Sequence, residues 1–155
     1  MLDQQESRVT EALLTASRAL VGVAARSLAS VDAEVTLAQY RALLVLAELG
    51  TRHVGELAEA LATHPSTTTR MCDRLVSHGL VRRTIARGNR RETVIALTTK
   101  GRDIVQRVTD VRRAEIARIV ERIPSASRES MIVALEAFAD ASGELPQQSW
   151  SLGWV

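Results

Sequence analysis

Residues 66–102 hold nine basic side chains, Arg70, Arg74, Arg82, Arg83, Arg87, Arg90, Arg91, Lys100 and Arg102, against two acidic ones, Asp73 and Glu92. The rest of the chain carries eleven basic and sixteen acidic residues, so a net charge of +2 conceals a cationic middle. Guanidinium groups bind phosphate and guanine edges bidentately, and short hydroxyls bond phosphate oxygens. The stretch 65–79, PSTTTRMCDRLVSHG, presents both kinds of group on a helical repeat. Ser66, Thr67, Arg70, Arg74 and Ser77 fall on one side; Thr68, Met71, Cys72 and Leu75 fall on the other. A charge run alone is usually a solvated face. Here a second basic group, Arg87, Arg90 and Arg91, follows around the turn-forming pair Gly88 and Asn89. A loop that narrow fits the minor groove of a duplex, whose negative potential attracts arginine.

Other chemistries lack their residues. No HEXXH, GxSxG, P-loop or dinucleotide fingerprint occurs, so an enzyme is not expected. His53, His64 and His78 never share the i, i+4 spacing of helical ligands, so neither a metal site nor a cofactor is expected. His64 fits a helix cap or a phosphate contact. Cys72 lies on the inward side of its helix and reads as a small buried hydrophobe, not a redox sensor. Asp73 reads as a scaffold residue, while Arg74 is left open between an ion pair with Asp73 and a contact to nucleic acid.

The elements that must position these groups follow from patterning. Apolar or small residues at Val9, Leu13, Ala16, Leu20, Val23, Ala24, Leu28 and Val31 give a first helix with one apolar face. Thr36 with Gln39 forms a capping box for a second, and Val35 with Tyr40 its hydrophobic staple. Leu43, Leu44, Leu46 and Ala47 make that helix a buried one, ending near Gly50. A short third helix over 54–62 turns Leu57, Ala58 and Leu61 inward, with His53 as a poor cap. Pro65 opens a fourth and Gly79 stops it. Residues 80–85 and 93–97 read as two strands joined by 86–91. Thr98 or Thr99 caps a long helix with apolar positions from Ile104 to Ile123, ended by Pro124. A last helix over 127–141 turns Met131, Ile132, Leu135, Phe138 and Ala139 inward, before a tail with Trp150 and Trp154.

Length and composition bound the rest. At 155 residues, 46% hydrophobic and 25% charged, the chain makes one ordinary globular domain that needs no staple. With 3% aromatic residues the core must be Leu, Val, Ile and Ala, which favours helices. One cysteine excludes an internal disulfide. The N-terminus lacks a secretory layout, and the longest apolar run, 42–47, is far short of the ~20 residues of a membrane helix. A cytoplasmic protein without a membrane partner is expected. The fold expected is mainly α with a small β-hairpin wing: a winged helix-turn-helix lobe at 35–101, helices at 5–32 and 102–142 for dimerisation, and a tail at 143–155.

The stretches TLAQYRALLVLAELG, VGELAEALA, STTTRMCDRLVSHGLVRR and GNRRETVIALTTKG, in this order and spacing, resemble the MarR family of bacterial winged-helix regulators. The resemblance covers about 36–101 in detail and the flanking helices by layout. It implies a homodimeric transcriptional regulator, usually a repressor, on a pseudo-palindromic operator in double-stranded DNA. Release would come from a small phenolic or other aromatic effector, an oxidant or a metal. Carried over, it makes 65–78 the recognition helix, with Ser66, Thr67, Thr69 and Arg70 as DNA contacts. The wing signature, an Asp two residues before an Arg, matches Asn89 and Arg91; Asn in place of Asp weakens the bracing of the wing or frees Arg91. Thr98 and Gly101 match the start of the long helix. The thiol-sensing branch carries its cysteine near the N-terminus, where this chain has none.

The DNA-binding residues expected are therefore Ser66, Thr67, Thr69, Arg70, Arg74, Arg87, Arg90 and Arg91. The first helix and the last two carry more apolar surface than a small winged lobe covers, which calls for a second copy and for recognition helices about 34 Å apart. Trp150 and Trp154 sit in a polar tail that is either buried against that copy or disordered. The effector's residues are not fixed; the first helix, Tyr40 and Arg41 are candidates by location. Two rival readings remain, a protein-interaction module that docks an acidic partner and an architectural DNA binder insensitive to ligand.

Overall fold

The structure, a computed structural model, describes residues 3–32, 34–86 and 89–144, the side chains of 86 and 89–92 excepted. The expectations that fall on Arg87, on the side chains of Asn89, Arg90 and Arg91, and on Trp150 and Trp154 lie outside the described residues. The elements run α1 (Gln4–Ala29), α2 (Leu37–Leu49), β1 (Arg52–His53), α3 (Val54–Ala60), α4 (Pro65–Ser77), β2 (Val81–Ala86), β3 (Asn89–Leu97), α5 (Thr99–Val120) and α6 (Ser125–Ser142). The architecture is mainly helical with one small antiparallel sheet, as the patterning required.

At the centre is α2. The Thr36 hydroxyl accepts from the Gln39 N–H at 3.2 Å, and the Gln39 side-chain oxygen accepts from the Thr36 N–H at 2.9 Å. That reciprocal cap starts a helix whose Tyr40, Ala42, Leu43, Val45 and Leu46 are all buried. Around them close Leu57 of α3, Cys72 and Leu75 of α4, Leu80, Val81, Ile95 and Leu97 of the hairpin, and Ile104, Val105 and Val108 of α5.

The sheet has the order β1-β3-β2. β1 pairs with β3 through Arg52↔Ile95 and His53↔Val94; two residues are too few to show alternation, so the sequence did not announce this strand. β2 and β3 pair from Val81↔Leu97 to Ile85↔Thr93, then step to Ala86↔Asn89. The step corrects the expected loop at 86–91. Ala86 ends β2, and Asn89, Arg90 and Arg91 belong to β3, with three residues taken up in an irregularity of the ladder. A polar run there hides strand periodicity.

α1 begins at Gln4, well before the first apolar position at Val9. The Asp3 carboxylate accepts from the Gln4 N–H and the Glu6 carboxylate from the Asp3 N–H, a capping box that apolar periodicity does not reveal. By length and composition alone α1 could cross a bilayer, which the short apolar runs concealed. Its C-terminal part is instead docked on α5, with Val23, Ser27 and Leu28 buried and Arg26 paired with Glu115.

α5 stops at Val120, three residues earlier than its apolar series suggested, and Pro124 is the N-cap residue of α6. α6 corrects a second expectation. Met131, Ile132, Leu135 and Phe138 were to be inward, yet no described residue of α6 is buried within the protomer, and Phe138 is 52% exposed. Val9, Leu14, Leu20 and Val21 of α1 are also more than half exposed. Helical period identifies an apolar face but not what covers it.

Candidate nucleic-acid interface

Helices α3 and α4 are joined by a tight turn in which Ala62 takes φ +51°, a left-handed residue, and the Thr63 N–H reaches back to the Ala58 carbonyl at 2.9 Å. The Thr63 and Thr68 hydroxyls lie 2.8 Å apart, satisfying the one buried polar side chain of α4. His64 caps α4: its Nδ1 accepts from the Ser66 N–H at 3.3 Å and lies 2.7 Å from Ser66 Oγ. That use of Nδ1 leaves Nε2 as the ring's remaining donor. The cap role expected for His64 is present. Pro65 occupies the first turn, where its missing N–H costs nothing.

The division of α4 follows the helical repeat. Thr68, Cys72 and Leu75 are buried and Met71 packs against the core, while Ser66, Thr67, Thr69, Arg70 and Arg74 are exposed. The exposed hydroxyls differ in availability. Ser66 shares its hydroxyl with His64, and Thr69 donates to the Pro65 carbonyl at 2.9 Å. Thr67 makes no side-chain hydrogen bond among the described residues. Arg70 and Arg74 stand one helical turn apart with no ion pair among the described residues, and with Thr67 they wall a cleft of about 280 Å³. Its other lining residues are Thr36, Ala38, Gln39 and Met71.

The remaining cations of the basic segment are spread by the fold. Arg83 of β2 pairs with Asp73 of α4, so Asp73 is a scaffold residue as expected but with Arg83, not Arg74, as partner. Lys100 donates to the His78 carbonyl at 2.9 Å, closing the C-terminal end of α4. Arg82 and Arg102 line a separate cleft of about 260 Å³ with Gly50, Thr51 and Leu97. Linear charge counting could not separate these roles, because each depends on a contact distant in sequence.

The hairpin and α4 are held to α5 by backbone contacts. Gly79, at φ +71°, ends α4, and the Leu80 N–H bonds the Leu75 carbonyl at 2.9 Å. The Thr98 hydroxyl accepts from the Gly101 N–H at 3.1 Å and lies 2.6 Å and 3.0 Å from the carbonyl oxygens of Gly79 and Leu80. One threonine thus caps α5 and anchors the α4–β2 junction.

Burial pushes the Cys72 thiol upward, partly offset by the nearby Arg83 and reinforced by Asp73; a protonated, inaccessible thiol suits the packing role expected of it. Tyr40, also raised by burial, places its hydroxyl 3.2 Å from Thr109 Oγ1. The Arg112 guanidinium lies 5.2 Å from the Tyr40 ring centroid, and its Nε is buried without a hydrogen-bond partner among the described residues. Thr109 and Arg112 were not singled out from the sequence. The available signal was an arginine placed four residues after Val108, on the buried stripe of α5. Arg41, a candidate by location, instead pairs with Glu144 at 2.8 Å.

Residues 35–93 match the model of the MarR family. The crystal structure of RV1404 from Mycobacterium tuberculosis is similar over 94% of this chain and 99% of its own, at 44% identity and a TM-score of 0.87. A MarR family protein from Bacillus stearothermophilus is 25% identical, covering 93% of this chain and 100% of its own, with a TM-score of 0.77. The HTH-type transcriptional regulator YfiV of Bacillus subtilis is 25% identical over 108 residues, 70% of this chain and 68% of that protein.

Proposed function

The chain belongs to the MarR family of DNA-binding transcriptional regulators, and on that premise we propose that it is a homodimeric repressor whose operator affinity falls when a small molecule binds. The observation that carries the proposal is the outer face of α4. It exposes Thr67, Arg70 and Arg74 while its opposite face is locked into the core. In the proposed complex α4 enters the major groove, with Ser66, Thr67 and Thr69 near the backbone and Arg70 and Arg74 at base edges or phosphates. Arg87, Arg90 and Arg91 follow on the wing toward the adjacent minor groove.

Dimerisation is supported by the apolar surfaces of α1 and α6, which the protomer leaves open. Helices from both chain ends would interleave with a second copy, setting the two α4 helices about 34 Å apart to match one turn of duplex. A repressor of chromosomal genes works in the cytoplasm.

The effector reading is supported by Tyr40, Thr109 and Arg112 between α2 and α5. A buried guanidinium Nε with no acceptor is costly, and a planar ligand bearing an acceptor would satisfy it. Such a ligand would favour one spacing of the recognition helices over another, a population shift. The test is retention of genomic fragments against random duplex of equal length. Enrichment of discrete fragments sharing a pseudo-palindrome is expected; equal retention would favour an architectural binder, and no retention a protein-interaction module.

A further inference from the structure

Beside α4 is a second group of donors that no DNA-contacting assignment above includes. The cleft walled by Thr67, Arg70 and Arg74 has the first turn of α2 as its other side, through Thr36, Ala38 and Gln39. Of the three amides in that turn, Thr36 caps only that of Gln39; those of Leu37 and Ala38 have no acceptor among the described residues. Gln39 is 5% exposed and its side chain is half used. Its Oε1 must be the atom facing Thr36, because the Thr36 N–H it meets is a donor. The Nε2 amide, with two protons, has no acceptor among the described residues. The unspent donors of a largely buried side chain that lines the cleft, a helix start and two arginines share a single complement, a phosphate anion.

Building on the DNA-binding reading, we infer that this cleft seats one phosphodiester of the duplex backbone, with the Gln39 amide as a donor that fixes how deeply α4 enters the groove. The contact carries no sequence information, so it acts on every duplex alike. It explains a polar side chain inside an otherwise apolar helix face: Gln39 caps α2 with one atom and holds the backbone with the other.

Two substitutions test this without damaging the fold. Gln39→Glu keeps an acceptor for the Thr36 N–H, and Ala38→Asp adds a carboxylate where the helix dipole favours one, so both proteins should melt at or above the wild-type temperature. Each places negative charge in the cleft. Affinity for a retained genomic duplex and for random duplex should fall together by about tenfold, with the salt slope of log K reduced by about 0.9. Ala38→Lys should tighten both and steepen the slope. If Gln39→Glu and Ala38→Asp bind as the wild type does, or weaken only the genomic duplex, the phosphate seat is overturned while the DNA-binding reading stands. If the wild type itself binds no duplex, it is the DNA-binding reading that fails.

Discussion

A side-chain carbon on Gly101 would lie 2.0 Å from the carbonyl oxygen of Leu80, a distance no rotamer can relieve because the obstacle is backbone. The start of α5 therefore rests directly on the junction between α4 and β2, and only glycine permits it.

Gly101→Ala should force the hairpin away from α5. We expect destabilisation of about 2 kcal/mol, the scale of overpacking in a close-packed core, and a melting temperature lower by several degrees. Weaker DNA binding should accompany it, since α4 and the wing share that junction. A variant that melts and binds like the wild type would remove the junction from the account.

Cys72 is the chain's one cysteine, so a thiol reagent reads it alone. Because burial raises its pKa above the usual thiol value, the folded protein should react slowly at pH 8 and rapidly once urea unfolds it. Well below the ordinary thiol pKa both states keep the proton and stability is flat with pH. Above it the unfolded chain releases its proton first, and stability falls. Rapid labelling of the folded protein at pH 8 would place the thiol outside the core.

Tyr40 is likewise the sole tyrosine, and tyrosinate absorbance reports it directly. Its titration should lie above pH 10, because burial outweighs the lowering effects of the Thr109 hydroxyl and the Arg112 charge. Arg112→Met removes one of those lowering effects and should move the titration higher still. Movement in the opposite direction would separate Arg112 from the Tyr40 ring.

Phe138→Glu and Leu135→Glu place charge on the open face of α6. In the proposed dimer they should reduce the solution mass toward the 16.9 kDa of one chain, and operator affinity should fall because two half-sites are no longer read together. A monomeric wild type would contradict the dimer.

Local chemistry was legible in the sequence, and long-range chemistry was not. The Thr36–Gln39 box, the Pro65 and Gly79 limits of α4 and its buried face of Thr68, Cys72 and Leu75 each depend on residues within a turn or two of one another. The Asp73–Arg83 pair, the two-residue β1 and Arg112 beneath Tyr40 require elements brought together by folding, which no periodicity encodes. The box at Asp3 and Glu6 was readable but lay ahead of the first apolar position. For α6 the apolar face was identified correctly and its burial was not: no described residue of the helix is buried, and helical period does not say what covers a face.

Whether α4 reads DNA is decided by salt-dependent binding of a retained genomic duplex to the wild type and to Arg70→Ala. Arg70 is exposed, unpaired among the described residues and outside every packing contact described above, so its loss should leave the melting temperature unchanged. Affinity should fall about tenfold, with loss of discrimination over random duplex if Arg70 reads a base, or with a slope lower by about 0.9 if it holds a phosphate. Equal affinity, equal slope and equal discrimination in the two proteins would contradict the assignment of α4 as the DNA-reading helix.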